Sequence, residues 1–229
     1  MEKKIKSYLN KAKQYQIYPH SFNVYLKYLI VFFFLTLFIN SHGQNEIRLI
    51  IQGNYIQNFL CDTFYDTPSE VIVNGIEKCS NQKNCDFDKD LNNVTFTFSN
   101  KINSCENMFL ELGNIIEIDL SNLDTSAVTT MYSMFRGCIN LKKINFGNIN
   151  TTLVNDMKEV FYVCKSLLSI DLSHFDTSSV TTMFRLFSLC ESLTSLNVSK
   201  FDTSKVVDMY DMFSYCYQLT SIDLSNFNT

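Results

Sequence analysis

The eight cysteines are the residues of this sequence best suited to chemistry, and they fall into two groups. Four of them recur every 26 residues, once in each unit of a repeat in the second half of the chain: Cys138, Cys164, Cys190 and Cys216. A zinc site needs thiolates that converge on one point, usually from pairs spaced as Cys-x2-Cys. Because evenly spaced single cysteines form a line instead, we interpret them as small buried apolar side chains. Disulfides between adjacent units are the alternative, since the expected compartment is oxidising.

The other four cysteines precede the regular units. An even number of cysteines in an exported segment is typical of disulfides, whose connectivity a sequence does not determine. Cys105 has a second interpretation as a buried thiol, because one repeat period later the chain has Met131, which occupies an apolar column. We predict at least one disulfide among Cys61, Cys79, Cys85 and Cys105.

One position between two apolar residues of each repeat unit is always Asp or Asn, and it recurs every 26 residues. We call this set of residues the polar column. Alternation along a short strand places it on the face opposite the core. The simplest interpretation is a solvated ladder in which alternating Asp and Asn keep like charges apart. The sharper hypothesis is a binding strip for a protein or glycan, formed by Asp119, Asn145, Asp171, Asn197 and Asp223 with Ser173, Ser199 and Ser225.

Metal, cofactor and enzyme chemistry are not expected. The polar column lacks the dense Asp-x-Asp-x-Gly loop that binds calcium. A second acidic column, which includes Asp124, Asp176 and Asp202, precedes an expected helical stretch and is explained by capping. The expected mature chain has one histidine, His174, in a column that varies between units, and it has no Gly-rich phosphate loop or Gly-x-Ser-x-Gly motif. We therefore predict a non-enzymatic protein without a cofactor.

Three sites match the N-glycosylation acceptor pattern, and they begin at Asn93, Asn150 and Asn197. The last two lie inside the repeat and recur through its Asn, Thr and Ser composition. The pattern is accordingly weak evidence of modification.

Charge is distributed unevenly along the chain. Residues 1–43 hold six lysines and one glutamate, whereas the remainder has 13 basic and 22 acidic residues. Such an acidic body does not attract nucleic-acid phosphates, so no nucleic-acid partner is expected. The apolar run over 28–39 is too short for a comfortable membrane span, but it fits a signal peptide cleaved after Gly43. An uncleaved N-terminal anchor is the alternative and would be the protein's contact with a membrane.

A 26-residue repeat organises the second half of the chain. In each unit, apolar residues spaced by three and four positions predict a helical segment, and a following Leu-x-x-Ile-x-Leu pattern predicts a short parallel strand. Stacking of units would bury these columns. We predict an α/β solenoid of the leucine-rich-repeat type over 101–229, with one degenerate and about four regular units, the last incomplete. Residues 44–100, with strand-like runs at 71–73 and 94–98, are predicted to form a small β-rich N-terminal cap.

The run from Phe201 to Ser225, Phe-Asp-Thr-Ser-x-Val-x-x-Met-x-x-Met-Phe-x-x-Cys-x-x-Leu-x-x-Ile-Asp-Leu-Ser, resembles the BspA-like leucine-rich-repeat surface proteins of microbes. The resemblance covers roughly 102–229 and implies exposure outside the cell with binding to host, matrix or neighbouring-cell ligands. We therefore expect a secreted or cell-surface recognition or adhesion module that binds an extracellular protein or glycan through its sheet face. A structural protein that self-associates in a surface layer or acts as a spacer is the alternative.

Overall fold

The computed structural model describes residues 45–228, and its regular secondary structure consists of β-strands. The predicted signal peptide or anchor over 1–43 lies outside these residues. Between residues 45 and 228 no helix offers the length and apolar character needed to cross a bilayer. The strands are β1 (Glu46–Gln52), β2 (Ile56–Asn58), β3 (Glu70–Val73), β4 (Ile76–Glu77), β5 (Asn84–Asp86), β6 (Leu91–Thr97), β7 (Ile115–Asn122), β8 (Lys143–Asn145), β9 (Ser169–Ile170) and β10 (Ser195–Leu196).

One six-stranded sheet joins the N-terminal region to the first repeat units. Its strand order is β4-β3-β6-β1-β7-β8, and all neighbours are antiparallel except β7 and β8. Strand β1 forms because Ile47, Leu49 and Ile51 alternate with more exposed residues, and these three side chains are buried in the core. The predicted strand-like runs at 71–73 and 94–98 lie in or at the end of β3 and β6. Within the described residues, the predicted cap region is thus continuous with the repeats through β1 and β7.

The prediction of an α/β solenoid with a helical segment in each unit is wrong. In residues 45–228 the stretch that follows each Val column consists of successive turns, and no residue is helical. Two positions in every unit have left-handed backbone, at the same places in the repeat, which interrupts a helix because a right-handed helix needs negative φ throughout. These positions are Asn107, Glu111, Ser133, Gly137, Glu159, Val163, Arg185, Leu189, Asp211 and Tyr215.

Backbone hydrogen bonds between consecutive turns replace the helical ladder. In the second unit the N–H groups of Met131, Ser133, Phe135 and Gly137 donate to carbonyls of the following unit, at 2.8–3.0 Å. The intervening N–H groups of Met134 and Arg136 donate back to the carbonyl three residues earlier, and that of Tyr132 donates to the hydroxyl of Thr130. A helix would direct every N–H four residues back. The chain therefore satisfies its backbone by stacking each turn on the next.

The core consists of apolar columns that run through these stacked turns. Neighbouring phenylalanine rings from Phe109 to Phe213 lie 5.4–5.8 Å apart and nearly parallel, with interplanar angles of 10° or less. Val, Met and Leu columns are buried beside them. Each ring covers the next, so the energy of burial depends on neighbouring turns keeping the same register.

A buried threonine column links the turns at the start of each unit. Thr125, Thr151, Thr177 and Thr203 are at most 4% exposed. The hydroxyl of Thr151 donates to the carbonyl of Asp176 at 2.8 Å and accepts from the N–H of the same residue at 2.7 Å. One side chain thereby satisfies both backbone groups of a residue in the next turn, and Thr125 and Thr177 do the same.

Replacement of this hydroxyl is predicted to destabilise the fold. Thr151→Val keeps the side chain's shape but leaves the N–H and carbonyl of Asp176 without their partner, so we expect a loss of about 1–3 kcal/mol in the free energy of unfolding. Equilibrium urea denaturation of the purified chain measures this change.

Thr151→Ser is the matched control, because it retains the hydroxyl and removes one methyl group. It should lie closer to the native protein than Thr151→Val does. Equal stability of the native and Val proteins would show that these hydrogen bonds contribute nothing net.

Candidate ligand-binding face

The polar column predicted as a binding strip lies on the strand side of the stacked turns. Asp119 is half-buried, while Asn145, Asp171, Asn197 and Asp223 are exposed. The Oδ1 atom of each accepts the N–H of the residue two positions later at 2.9–3.1 Å. Each side chain therefore closes a local turn with one of its two polar atoms.

The serine positions of the predicted strip supply the donors of these turns. The N–H groups of Ser173, Ser199 and Ser225 bind Asp171, Asn197 and Asp223, and all three serines are exposed. The Ser199 hydroxyl additionally donates to Asn197 Oδ1 at 2.7 Å. The predicted binding strip is thus a row of turns, each closed by the same side-chain to backbone hydrogen bond.

One side-chain hydrogen bond in this column connects neighbouring turns. The Nδ2 group of Asn145 donates to Asp119 Oδ1 at 3.1 Å. Burial acts to raise the pKa of Asp119, but hydrogen bonds from Ser121 and Asn145 outweigh it and hold that pKa below its ordinary value. The backbone N–H groups of Ser173 and Ser225 likewise lower the pKa of Asp171 and of Asp223. These carboxylates are ionised at neutral pH.

The described residues form two open grooves along this face. The first has a volume of 590 Å³ and crosses β6, β1, β7 and β8, where Asp119 and Asn145 line it. The second has a volume of 700 Å³ and lies between two adjacent turns, where Asn197, Ser199 and Asp223 line it. Asp171, Ser173 and Ser225 do not belong to either lining. The structure therefore places five of the eight predicted residues in two separate grooves and leaves the other three outside both linings.

The first groove contains charged residues that were not among the predicted site residues. Arg48 comes from β1, Glu117 from β7 and Lys143 from β8. Glu117 and Lys143 each lie two residues before a member of the polar column on the same strand. Strand alternation therefore places them on the same face as that column. The pairing of β1 with β7 joins residues far apart in the chain, and no local pattern indicates it.

The second acidic column also closes turns, and its predicted role in helix capping is wrong. The Oδ1 atoms of Asp124, Asp176 and Asp202 accept the N–H of the serine two residues later, each at 2.9 Å. No helix follows them in residues 45–228. Aspartate is favoured here for the same reason as at a helix start, because its short side chain reaches a nearby backbone N–H.

The repeat cysteines are free thiols within the core. Cys138, Cys164 and Cys190 are buried and Cys216 is half-buried. Each thiol donates to a phenylalanine carbonyl of the preceding unit at 3.1–3.2 Å. Burial raises the pKa of all four thiols, so they stay protonated and poorly nucleophilic.

The N-terminal cysteines are arranged differently. Cys79 and Cys85 form a disulfide with a Cα–Cα distance of 5.6 Å. Cys61 is a half-buried free thiol, and Cys105 is a buried one whose pKa burial raises to about 12. This disulfide lies between the loop after β4 and strand β5.

The remaining candidate positions show no convergent chemistry. His174 is exposed. Asn93 is exposed on β6, whereas Asn150 and Asn197 use Oδ1 to close turns. In the described part of the chain, no three His, Cys, Asp or Glu side chains are placed to hold a metal ion.

The turn-closing aspartates are predicted to make stability depend on acidity. Hydrogen bonds from the following serine lower the pKa of Asp124, Asp176 and Asp202. A carboxyl with a lowered folded-state pKa contributes stability above its unfolded pKa, about 3.9, and loses it as pH falls through the folded value. We expect the urea midpoint to hold between pH 7 and 5 and to fall below about pH 4.

The triple variant Asp124→Asn, Asp176→Asn, Asp202→Asn tests the origin of this loss. Asparagine keeps the Oδ1 acceptor, as Asn150 does in the same column, but does not titrate in this range. The urea midpoint of the triple variant should therefore fall less than that of the native protein between pH 5 and 2.5. Parallel pH curves for the two proteins would rule out these carboxylates as the cause.

Comparison with known protein families gives a match over the repeat region. A family model described as "Mycoplasma protein of unknown function, DUF285" matches residues 77–170 and 168–229. Comparison with curated proteins and with solved structures found no significant match. The two matched stretches cover more than half of the chain, from β4 through all of the regular repeat units. This chain therefore belongs to the DUF285 family of Mycoplasma proteins.

Proposed function

We propose that the strand face is a recognition surface, secreted or displayed at the cell surface, that binds an extracellular protein or glycan. The observation that carries this proposal is the placement of fixed polar side chains in two concave grooves. Concave surfaces with a few well-placed polar groups are the usual form of binding sites.

Rigidity supports a binding role for this face. The side chains of Asn197 and Asp223 are held by hydrogen bonds to N–H groups in their own turns. A ligand would meet polar groups that are already oriented, so little conformational entropy would be lost on binding. The hydroxyl and amide groups that line the second groove suit a polar ligand.

The resemblance to BspA-like surface proteins also favours this proposal. Those proteins are exposed to the exterior and bind varied host or matrix ligands. The family match to DUF285 is compatible with this interpretation and names no ligand.

Binding to an immobilised array of glycans and extracellular matrix proteins tests the proposal with the purified chain. We expect saturable binding to at least one ligand. The triple variant Asp171→Ala, Asn197→Ala, Asp223→Ala should weaken it at least tenfold, because it removes polar contacts along the strand face and the turns that orient them.

The variant Asp124→Ala, Asp176→Ala, Asp202→Ala is the matched control. It breaks three equivalent turns outside both groove linings, so it should keep its affinity if it remains folded. Equal loss in both variants would trace the effect to stability and not to recognition. Concentration-dependent assembly without any array binding, measured by light scattering, would favour a self-associating structural protein and overturn the proposal.

A further inference from the structure

We propose that the first groove binds a protein segment that presents one acidic and one basic side chain close together. This inference rests on the proposed recognition function and names the chemistry of the partner. The groove's volume of 590 Å³ lies within the range of about 300–1,000 Å³ for ligand sites.

Strand register arranges the groove's outward side chains in two rows. Neighbouring strands place paired residues side by side, and alternation sends every second residue to the same face. One row is Asn93, Ile50, Glu117 and Lys143, and the other is Thr95, Arg48, Asp119 and Asn145. Each row therefore carries one acidic and one basic residue next to each other.

The charges of the second row are already engaged within the protein. Arg48 lies 2.5 Å from the buried carboxylate of Glu46. Asp119 Oδ1 accepts hydrogen bonds from Ser121 and Asn145. Both charged groups of this row therefore already have partners within the protein.

The first row carries the charges available to a ligand. Glu117 and Lys143 are register partners on β7 and β8. Even so, neither side chain belongs to an ion pair within 4.0 Å in the part of the chain that the structure describes. Lys143 is exposed and Glu117 is half-exposed. Two opposite charges are thus adjacent, solvated and not paired with each other.

The lining favours a peptide with both charges over other ligands. Arg48, Lys143, Glu117 and Asp119 cancel in formal charge, so the groove does not attract a polyanion. Among residues 45–228, the lining of this groove includes no aromatic ring on which a base or sugar could stack. A peptide can place its acidic side chain at Lys143 and its basic one at Glu117, while Asn93, Thr95 and Asn145 offer hydrogen bonds to its backbone.

Fluorescence anisotropy with end-capped, labelled pentapeptides tests this inference on the purified chain. One probe has glutamate second and lysine fourth, the next has them exchanged, and the last has serine at both places. We expect one charged order to bind more tightly than the other and than the neutral probe. Glu117→Gln and Lys143→Gln should each weaken it by about two- to fivefold, the range for an exposed ion pair.

The exchange variant Glu117→Lys, Lys143→Glu supplies the decisive comparison, because it should reverse the preferred peptide order. Lys205→Gln is the control, since Lys205 is exposed and lies outside the groove lining. Equal binding of neutral and charged probes, or an unchanged preference in the exchange variant, would overturn the inference. Tighter binding of an uncapped neutral pentapeptide would also overturn it, because chain termini would then be the recognised groups.

The two proposals can fail separately. In one outcome, an array ligand depends on Asp171, Asn197 and Asp223 while the charged peptides bind equally whatever stands at positions 117 and 143. That result supports recognition through the strand face and overturns peptide binding by the first groove.

The opposite result is that no array ligand binds but the charged peptides behave as expected. Peptide binding by the first groove is then supported, and recognition of a glycan or matrix protein is not.

Discussion

Hydrogen bonds between the peptide groups of consecutive turns are the constraint on which the rest of this structure depends. The peptide that joins Tyr132 to Ser133 accepts from the N–H of Asn107 and donates to the carbonyl of Lys158. The same pattern continues through later turns, so each peptide is one link in a chain of aligned hydrogen bonds. Such chains polarise their members and strengthen one another. They also offset the cost of left-handed backbone at residues such as Glu159.

The regular polar columns serve this stacking before they serve any ligand. Thr151 bonds both backbone groups of Asp176 in the next turn, and Cys164 donates to a carbonyl in the preceding one. Aspartate and asparagine columns close turns within a unit. These side chains therefore bind backbone N–H and carbonyl groups that have no partner in the sheet or in the stacked turns. Buried backbone groups need such partners. Regularity in this sequence is thus evidence of structure more than of function.

The 26-residue repeat, the apolar columns and the polar column could be predicted from the sequence. Each of them is a property of single positions that recur once in every unit. The turns found in place of the expected helical segment could not be predicted, because apolar residues three and four apart suit either one helical face or a series of turns. Left-handed positions would have distinguished them, but glycine occupies just one of the repeated positions, Gly137, while Ser133 and Arg185 give no signal. The pairing of β1 with β7, which brings Arg48 to the groove, is a long-range contact that no local pattern encodes.

The variable side chains on the turn side of the units are largely occupied with one another. Lys158 lies 5.5 Å from the ring centre of Tyr132 and 5.0 Å from that of Phe184, and Arg136 pairs with Glu159 at 2.7 Å. Cations held over rings and beside carboxylates have little left to offer a ligand. The groove differs, because irregularity at the junction of β1 and the first repeats leaves opposite charges side by side and not paired. In a protein whose regular positions maintain stacking, such departures from regularity are where specificity can arise.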